Sequence, residues 1–240
     1  MKLPLLLALL ALAGCTTPAP PPGPIEDPFP AAAIAPLLSL EGCEVVQVTH
    51  YVPAATVQDR LPAGYVLTQE LAGVATRLTV CARGSLEDRT LAAPSMVLSF
   101  VDVQPPAGAN ATSEHRFALD LAVDPPALAD WFAARGASAR PGLVLRTAGP
   151  PERFVHESAA AAYGATVLPG VADAAEPRHF LLHLPGPGNP VALDVRMDDQ
   201  GELAAALFEA ERGPLADLGT LPLSAAPASR FASAESWTPT

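Results

Sequence analysis

Residues 52–67 read VPAATVQDRLPAGYVL, set between two strand-like runs, CEVVQVTHYV at 43–52 and LAGVATRLTVCA at 71–82. Within the stretch, Val57 and Leu61 stand four apart, the spacing of one face of a helix barely two turns long. Leu61-Pro62-Ala63-Gly64-Tyr65 then breaks that helix with the two strongest punctuators of local structure, proline and glycine. A strand is interrupted by one short amphipathic turn and then resumed, and this interruption is the most informative local feature of the chain.

Further strand-like segments recur outward from it: 95–104, 114–123, 142–147, 152–158, 163–170, 178–184 and 190–198. They are separated by PPAG, ARPG, AGPP and LPGPGNP. Many short strands with Pro/Gly turns indicate a mainly β sandwich or barrel rather than a βαβ fold. Helices are few. In DPPALADWFAARGAS, Asp124 is placed to cap, Pro125 and Pro126 occupy the first turn, Leu128, Trp131 and Phe132 share a face, and Gly136 closes the end. The segment GELAAALFEAER, 201–212, matches helical period through Leu203, Leu207 and Ala210 and is read as helix over the strand alternative. The expected architecture is an α+β chain dominated by an antiparallel β-barrel with two or three short helices.

The first fourteen residues, MKLPLLLALLALAG, carry one positive charge at Lys2 and an apolar run too short to span a bilayer. They read as a secretory signal. Leu12-Ala13-Gly14-Cys15 resembles a bacterial lipobox, so Cys15 is expected to be acylated and to anchor the protein to a membrane. By resemblance to the lipoprotein sorting rule of some Gram-negative bacteria, Thr16 in place of Asp favours the outer membrane. Residues 16–36 are proline-rich and poor in core-forming side chains, which suits an extended tether. A single folded domain is expected over 37–225, followed by a loose tail over 226–240. The predicted location is the cell envelope.

Net charge is −11, becoming −12 once Lys2 leaves with the signal. This argues against nucleic acid and anionic headgroups as partners. Cys43 and Cys81 form an even pair in an oxidising compartment and are a disulfide candidate. Closing a loop of about 39 residues would contribute about 4 kcal/mol. Two separate buried thiols remain the alternative.

The order strand, Val52-Pro53, short helix, Leu61-Pro62-Ala63-Gly64-Tyr65, long strand ending near a cysteine resembles the N-terminal part of the acetoacetate decarboxylase-like superfamily. DLAVDPPALADWFAARG extends the likeness as that family's strand followed by a helix. The resemblance implies a β-barrel whose mouth is crossed by the Leu-Pro-x-Gly-Tyr segment. It also implies decarboxylation through a lysine that forms a Schiff base with a ketone. Lys2 is the only lysine in the chain and departs with the signal. Arginine keeps its proton and cannot replace it, so the reading is a member without Schiff-base chemistry.

No nucleophile elbow, Walker loop, dinucleotide fingerprint or HExxH motif occurs, and no cofactor is implied. His179 and His183 on a strand would share a face about 13 Å apart, too far to chelate one metal; no metal site is expected. His50 falls with Val46, Val48 and Val52 on an apolar face. Arg77 shares a face with Ala75, Thr79 and Cys81, and a buried arginine needs a carboxylate partner, either a bound acid or Glu70, Asp102 or Glu114. His50, Arg77 and Arg116 are therefore the candidate ligand-binding residues, while no catalytic residue is assigned. Asn110-Ala111-Thr112 matches a glycosylation triplet, which carries no weight in a bacterial lipoprotein.

The leading functional reading is a lipid-anchored barrel binding a small apolar or carboxylate-bearing molecule. The alternatives are a lysine-independent hydrolase or lyase using His/carboxylate groups, and a structural or partner-binding envelope lipoprotein.

Overall fold

The computed structural model describes residues 37–67, 69–87, 89–107, 113–173, 178–219 and 223–240. The leader, Cys15, the tether and the Asn110–Thr112 triplet lie outside them. In chain order the elements are β1 Leu38–Pro53, α1 Ala54–Gln58, β2 Leu71–Leu86, β3 Arg89–Ala92, β4 Ser95–Asp102, β5 His115–Asp124, α2 Pro126–Ala134 and β6 Arg140–Pro141. They continue with β7 Val144–Thr147, β8 Glu152–Glu157, β9 Ala162–Asp173, β10 Arg178–Leu184, β11 Val191–Arg212 and β12 Leu223–Pro239.

Seven strands close on themselves in the order β10-β5-β4-β2-β1-β12-β11 and back to β10. The chain is thus mainly β with a closed barrel, as its strand pattern predicts. Pairing round the ring is antiparallel except between β10 and β5. β11 is long enough to serve twice. Residues 191–197 pair with β10, whereas 201–212 pair with β9, from which β8 and β7 continue as a flap. β7 comes back against β2 and β4, where the Val144 amide donates to Ser95 Oγ at 2.9 Å.

Two cores result, on opposite faces of the shared wall β1-β2-β4-β5. Inside the barrel lie Leu38, Leu40, Cys43, Val45, Met96, Leu98, Phe180, Leu182, Val195 and Trp237. Between the wall and the flap lie Val46, Val48, Val52, Leu78, Val97, Phe154, Tyr163 and Phe208. A bulge between Leu40 and Cys43, with Gly42 at φ +60°, shifts the parity of β1 so that Leu38, Leu40, Cys43 and Val45 all face inward. Cys43 lies directly opposite Cys81 on β2, and the two form a disulfide. α2 covers one end of the barrel, its Phe132 edge-on to Trp237 at 5.9 Å.

Three expectations are corrected. Residues 201–212 are strand rather than helix: both edges of the segment are paired, to β9 and β12, and Ala206, Phe208 and Ala210 are buried at a period of two. Residues 226–240 are not a loose tail. They form most of β12, which fills the gap between β1 and β11 and completes the ring. Asp124 does not cap α2, because it ends β5 opposite Ser95 and Pro125 takes the cap position.

The interrupting stretch is held from three sides. Val57 is buried in the second core. Gln58 donates through Nε2 to the Tyr65 carbonyl at 2.8 Å, and its Oε1 accepts from the Leu67 amide at 3.1 Å. Val66 and Gln104 exchange backbone hydrogen bonds at 3.0 and 2.8 Å. Gly64 stands at φ +90°, and a Cβ there would come within 2.9 Å of Pro106 Cγ. Both the backbone angle and the approach demand glycine.

Candidate functional site

The barrel interior is layered. Apolar side chains and α2 fill the end where β1 begins. A buried ionic triad comes next. Arg77 donates Nη1 to Asp199 Oδ2 at 3.0 Å and Nη2 to Asp199 Oδ1 at 3.1 Å, a bidentate pair, and Nη2 also reaches Glu235 Oε1 at 2.9 Å. Ser233 Oγ donates to Asp199 Oδ1 at 2.6 Å, and Trp237 Nε1 to Glu235 Oε2 at 3.3 Å. Burial alone would depress Arg77, but the two carboxylates outweigh it and its pKa rises. Burial opposes ionisation of Asp199 too, yet Arg77 and the Ser233 hydroxyl bring its pKa down. Glu235 goes up, because burial together with the Asp199 charge exceeds what Arg77 returns.

Beyond the triad, at the open end, lies a cavity of about 270 Å³ lined by Gln47, Thr49, Tyr51, Leu67, Phe100, Arg116 and Arg178 among others. Gln47 joins the two levels, since its Oε1 accepts from Arg77 at 3.4 Å and from Arg178 at 3.3 Å. Arg178 lies over the Phe231 ring at 5.2 Å, and Arg116 lies over Phe180 at 4.0 Å and Phe100 at 4.9 Å. Arg116 donates Nε to Asp102 at 3.2 Å and Nη2 to Glu114 at 3.3 Å, and both carboxylates are largely in solvent. Its Nη1 is screened from water with no hydrogen-bond partner among the described residues. Burial lowers the pKa of Arg116 and of Arg178, more than their acidic neighbours restore. The mouth therefore holds two guanidinium ions whose charge is incompletely compensated.

Of the sequence candidates, only Arg116 lines this cavity. Arg77 sits beneath it, bonded by Asp199 and Glu235 rather than by Glu70, Asp102 or Glu114, and Asp102 and Glu114 serve Arg116 instead. His50 is on the other side of the wall, its ring 4.7 Å from Phe208 in the second core. The apolar face of β1 that carries it faces the flap, because β1 is buried on both sides. Arg178 and Gln47 were missed. Alternation along RHFLLHL puts Arg178 on the Phe180–Leu182 face, opposite the histidines that drew attention, and this is the signal that would have found it.

None of the five histidines lines the cavity. His179 Nε2 meets Asp194 Oδ1 at 2.8 Å on the outer face of β10. His183 forms a buried chain on that same face, with Nδ1 at 2.9 Å from the Tyr65 hydroxyl and Nε2 at 2.9 Å from His115 Nδ1. Burial and the neighbouring His115 lower its pKa to about 4. His156 belongs to a third polar set in the second core. There Arg140 makes a two-point pair with Asp120, donates to His156 Nε2 at 3.0 Å and to Ser158 Oγ at 3.0 Å, and Tyr163 donates to Asp120 at 2.9 Å. Nδ1 of His156 faces the Leu143 carbonyl at 3.0 Å and so carries the proton. Among the described residues no cluster of three or more His, Cys, Asp or Glu is arranged to hold a metal ion.

The fold is that of acetoacetate decarboxylase-like proteins. An acetoacetate decarboxylase-like enzyme from Sphingomonas wittichii RW1 superposes with a TM-score of 0.58 at 13% identity, covering 86% of this chain and 94% of that one. Acetoacetate decarboxylase from Legionella pneumophila gives 0.59 at 14% identity, with 89% and 91% covered. The enduracididine biosynthesis enzyme MppR, complexed with pyruvate, gives 0.56 at 15% identity, with 87% and 91% covered. No protein-family model matches the chain, and no curated protein matches it in sequence. At these identities the likeness establishes the scaffold.

Proposed function

We propose that the protein binds a small carboxylate-bearing molecule at the barrel mouth, through Arg116 and Arg178, and does so without Schiff-base chemistry. The observation that carries the reading is the pair of under-compensated guanidinium ions lining a cavity large enough for a small organic acid. Arginine suits the task, since its planar fork matches a carboxylate and its charge persists on burial. MppR, which shares the scaffold, has been solved with pyruvate, itself a small carboxylate. The absence of lysine from residue 3 onward supports binding without imine formation.

The same reading makes the protein a lipid-anchored envelope component, acylated on Cys15. The lipobox-like sequence supports this, and the Cys43–Cys81 disulfide is consistent with an oxidising compartment. Incorporation of a palmitate analogue that disappears in Cys15→Ser is the expected labelling result.

Native mass spectrometry with pyruvate tests the site. The full chain should carry a non-covalent adduct that is lost in the Arg116→Gln/Arg178→Gln double variant, and borohydride treatment should add no mass. A borohydride-trapped adduct, or an adduct indifferent to both arginines, would overturn the reading.

A further inference from the structure

The mouth is polar at its base and apolar at its rim. Along β1 the inward positions run from Gln47 through Thr49 to Tyr51, and along β2 from Arg77 through Ala75 and Gly73 to Leu71. Four residues of strand separate Gln47 from Tyr51, about 13 Å. Tyr51 is 64% exposed and Leu71 54% exposed, two large apolar groups side by side at the edge of one cavity. Tyr51 packs against Gly73 of the neighbouring strand. A Cβ at Gly73 would stand 3.4 Å from Tyr51 Cε1 and 3.7 Å from Thr49 Cγ2, so the tyrosine ring lies over the bare backbone of β2 as part of the cavity wall. Exposed apolar surface beside buried cation is costly unless something covers the first and neutralises the second.

We infer that the ligand is an amphipathic organic acid, its carboxylate at Arg116 and Arg178 and its hydrocarbon chain running outward along the Tyr51 ring, which Gly73 backs, toward Leu71. This rests on the carboxylate reading above and adds the part of the ligand that reading leaves open. Tyr51, Gly73 and Leu71 are then the residues that set chain-length preference. The arginines set the charge preference.

Titration calorimetry of the full chain with acetate, butanoate, hexanoate and octanoate, kept below micelle formation, tests it. Affinity should rise about two- to fourfold per added methylene, the range expected for partial to full burial of each CH₂. Octan-1-ol and octylammonium should bind at least roughly tenfold more weakly than octanoate, the loss of one charge-assisted contact. Leu71→Asp and Gly73→Val, the latter pushing the Tyr51 ring aside, should each compress the octanoate-to-acetate ratio toward one. If acids bind with affinity independent of length, or octan-1-ol matches octanoate, the amphipathic ligand is refuted while carboxylate binding stands or falls on the short acids. If no acid of any length binds, the carboxylate reading itself fails and takes this inference with it. The length series uses the unaltered chain, so a variant that fails to fold leaves the test decisive.

Discussion

Replacing Glu235 by Gln tests how the barrel tolerates charge in its interior. Arg77, Asp199 and Glu235 are all essentially out of solvent, and together they place two carboxyl groups against one guanidinium. Asp199 takes the bidentate contact and is held ionised, while burial and the Asp199 charge push Glu235 up from its usual value of 4.5. The folded chain therefore binds a proton at Glu235 more tightly than the unfolded chain does. For a carboxyl group raised in this way, stability is full below about 4.5. It then declines as pH climbs through the folded value, by at most about 1.4 kcal/mol per pH unit for one proton. Glutamine cannot titrate, so that decline should vanish. Its amide oxygen can still accept from Arg77, but its NH₂ cannot accept from Trp237 Nε1, and losing that neutral bond costs about 1 kcal/mol.

Glu235→Gln should accordingly be about 1 kcal/mol less stable than the parent at acid pH, and the difference should shrink as pH rises through the folded value of Glu235. Asp199→Asn removes the anion that balances Arg77, and breaking a buried pair in this way costs roughly 3–5 kcal/mol. Urea unfolding followed by tryptophan fluorescence at a series of pH values measures both. A Glu235→Gln profile that stays parallel to the parent's across the pH series would refute the raised proton affinity of Glu235.

Two further outcomes are expected. Gly64→Ala forces a side chain into a left-handed backbone and against Pro106, and should lower stability by about 1–3 kcal/mol, read as a shift of the thermal midpoint. His183 is held neutral by burial with its pKa lowered from 6.5 to about 4, so its contribution is full above 6.5 and is lost as pH falls toward 4. The loss should reach up to roughly 3 kcal/mol in the parent and flatten in His183→Asn, as followed by unfolding at acid pH.

How far the sequence disclosed this molecule depended on how strongly each segment declared its periodicity. The Leu-Pro-Ala-Gly-Tyr stretch was legible because Gly64 and Pro62 are there for backbone reasons, and such reasons are local. β11 was misread because Ala204, Ala205, Ala206 and Ala210 fit either period. Burial at Ala206, Phe208 and Ala210 shows a strand, but alanine is too small to announce a face. β12 was missed since its inward residues include Ser233 and Glu235, which look exposed until Arg77 is seen to need them. At the site, Arg116 is legible as a cation within a strand-like run, beside Phe117. His50 does share the apolar face of Val46, Val48 and Val52, but both faces of β1 are buried, so polarity does not tell which face meets the cavity. Which carboxylate meets which arginine was beyond reach. Arg77 lies 122 residues from Asp199 and 158 from Glu235, and only closure of the ring joins them.

The two levels of charge in the barrel divide the work of the interior. Arg77 is already occupied on both terminal nitrogens, so a ligand seeking that guanidinium would have to displace Asp199, leaving its charge buried without a partner, or break the Glu235 hydrogen bond, and the first of these is prohibitive. Its role is to bind β2 to β11 and β12 across the barrel and to fix Gln47 at the floor of the cavity. At the mouth the balance is reversed. Desolvation there exceeds compensation, and Asp102 and Glu114, which offset Arg116, stand in water where their attraction is weak. An incoming carboxylate would therefore strengthen what the solvent-exposed pairs leave unfinished at Arg116, and would add to the distant Asp199 contact of Arg178 at 3.9 Å. Arginine at both levels also keeps its proton and makes no covalent bond to a carbonyl. On the proposed reading, a scaffold shared with decarboxylases thus holds an acid and leaves it unchanged.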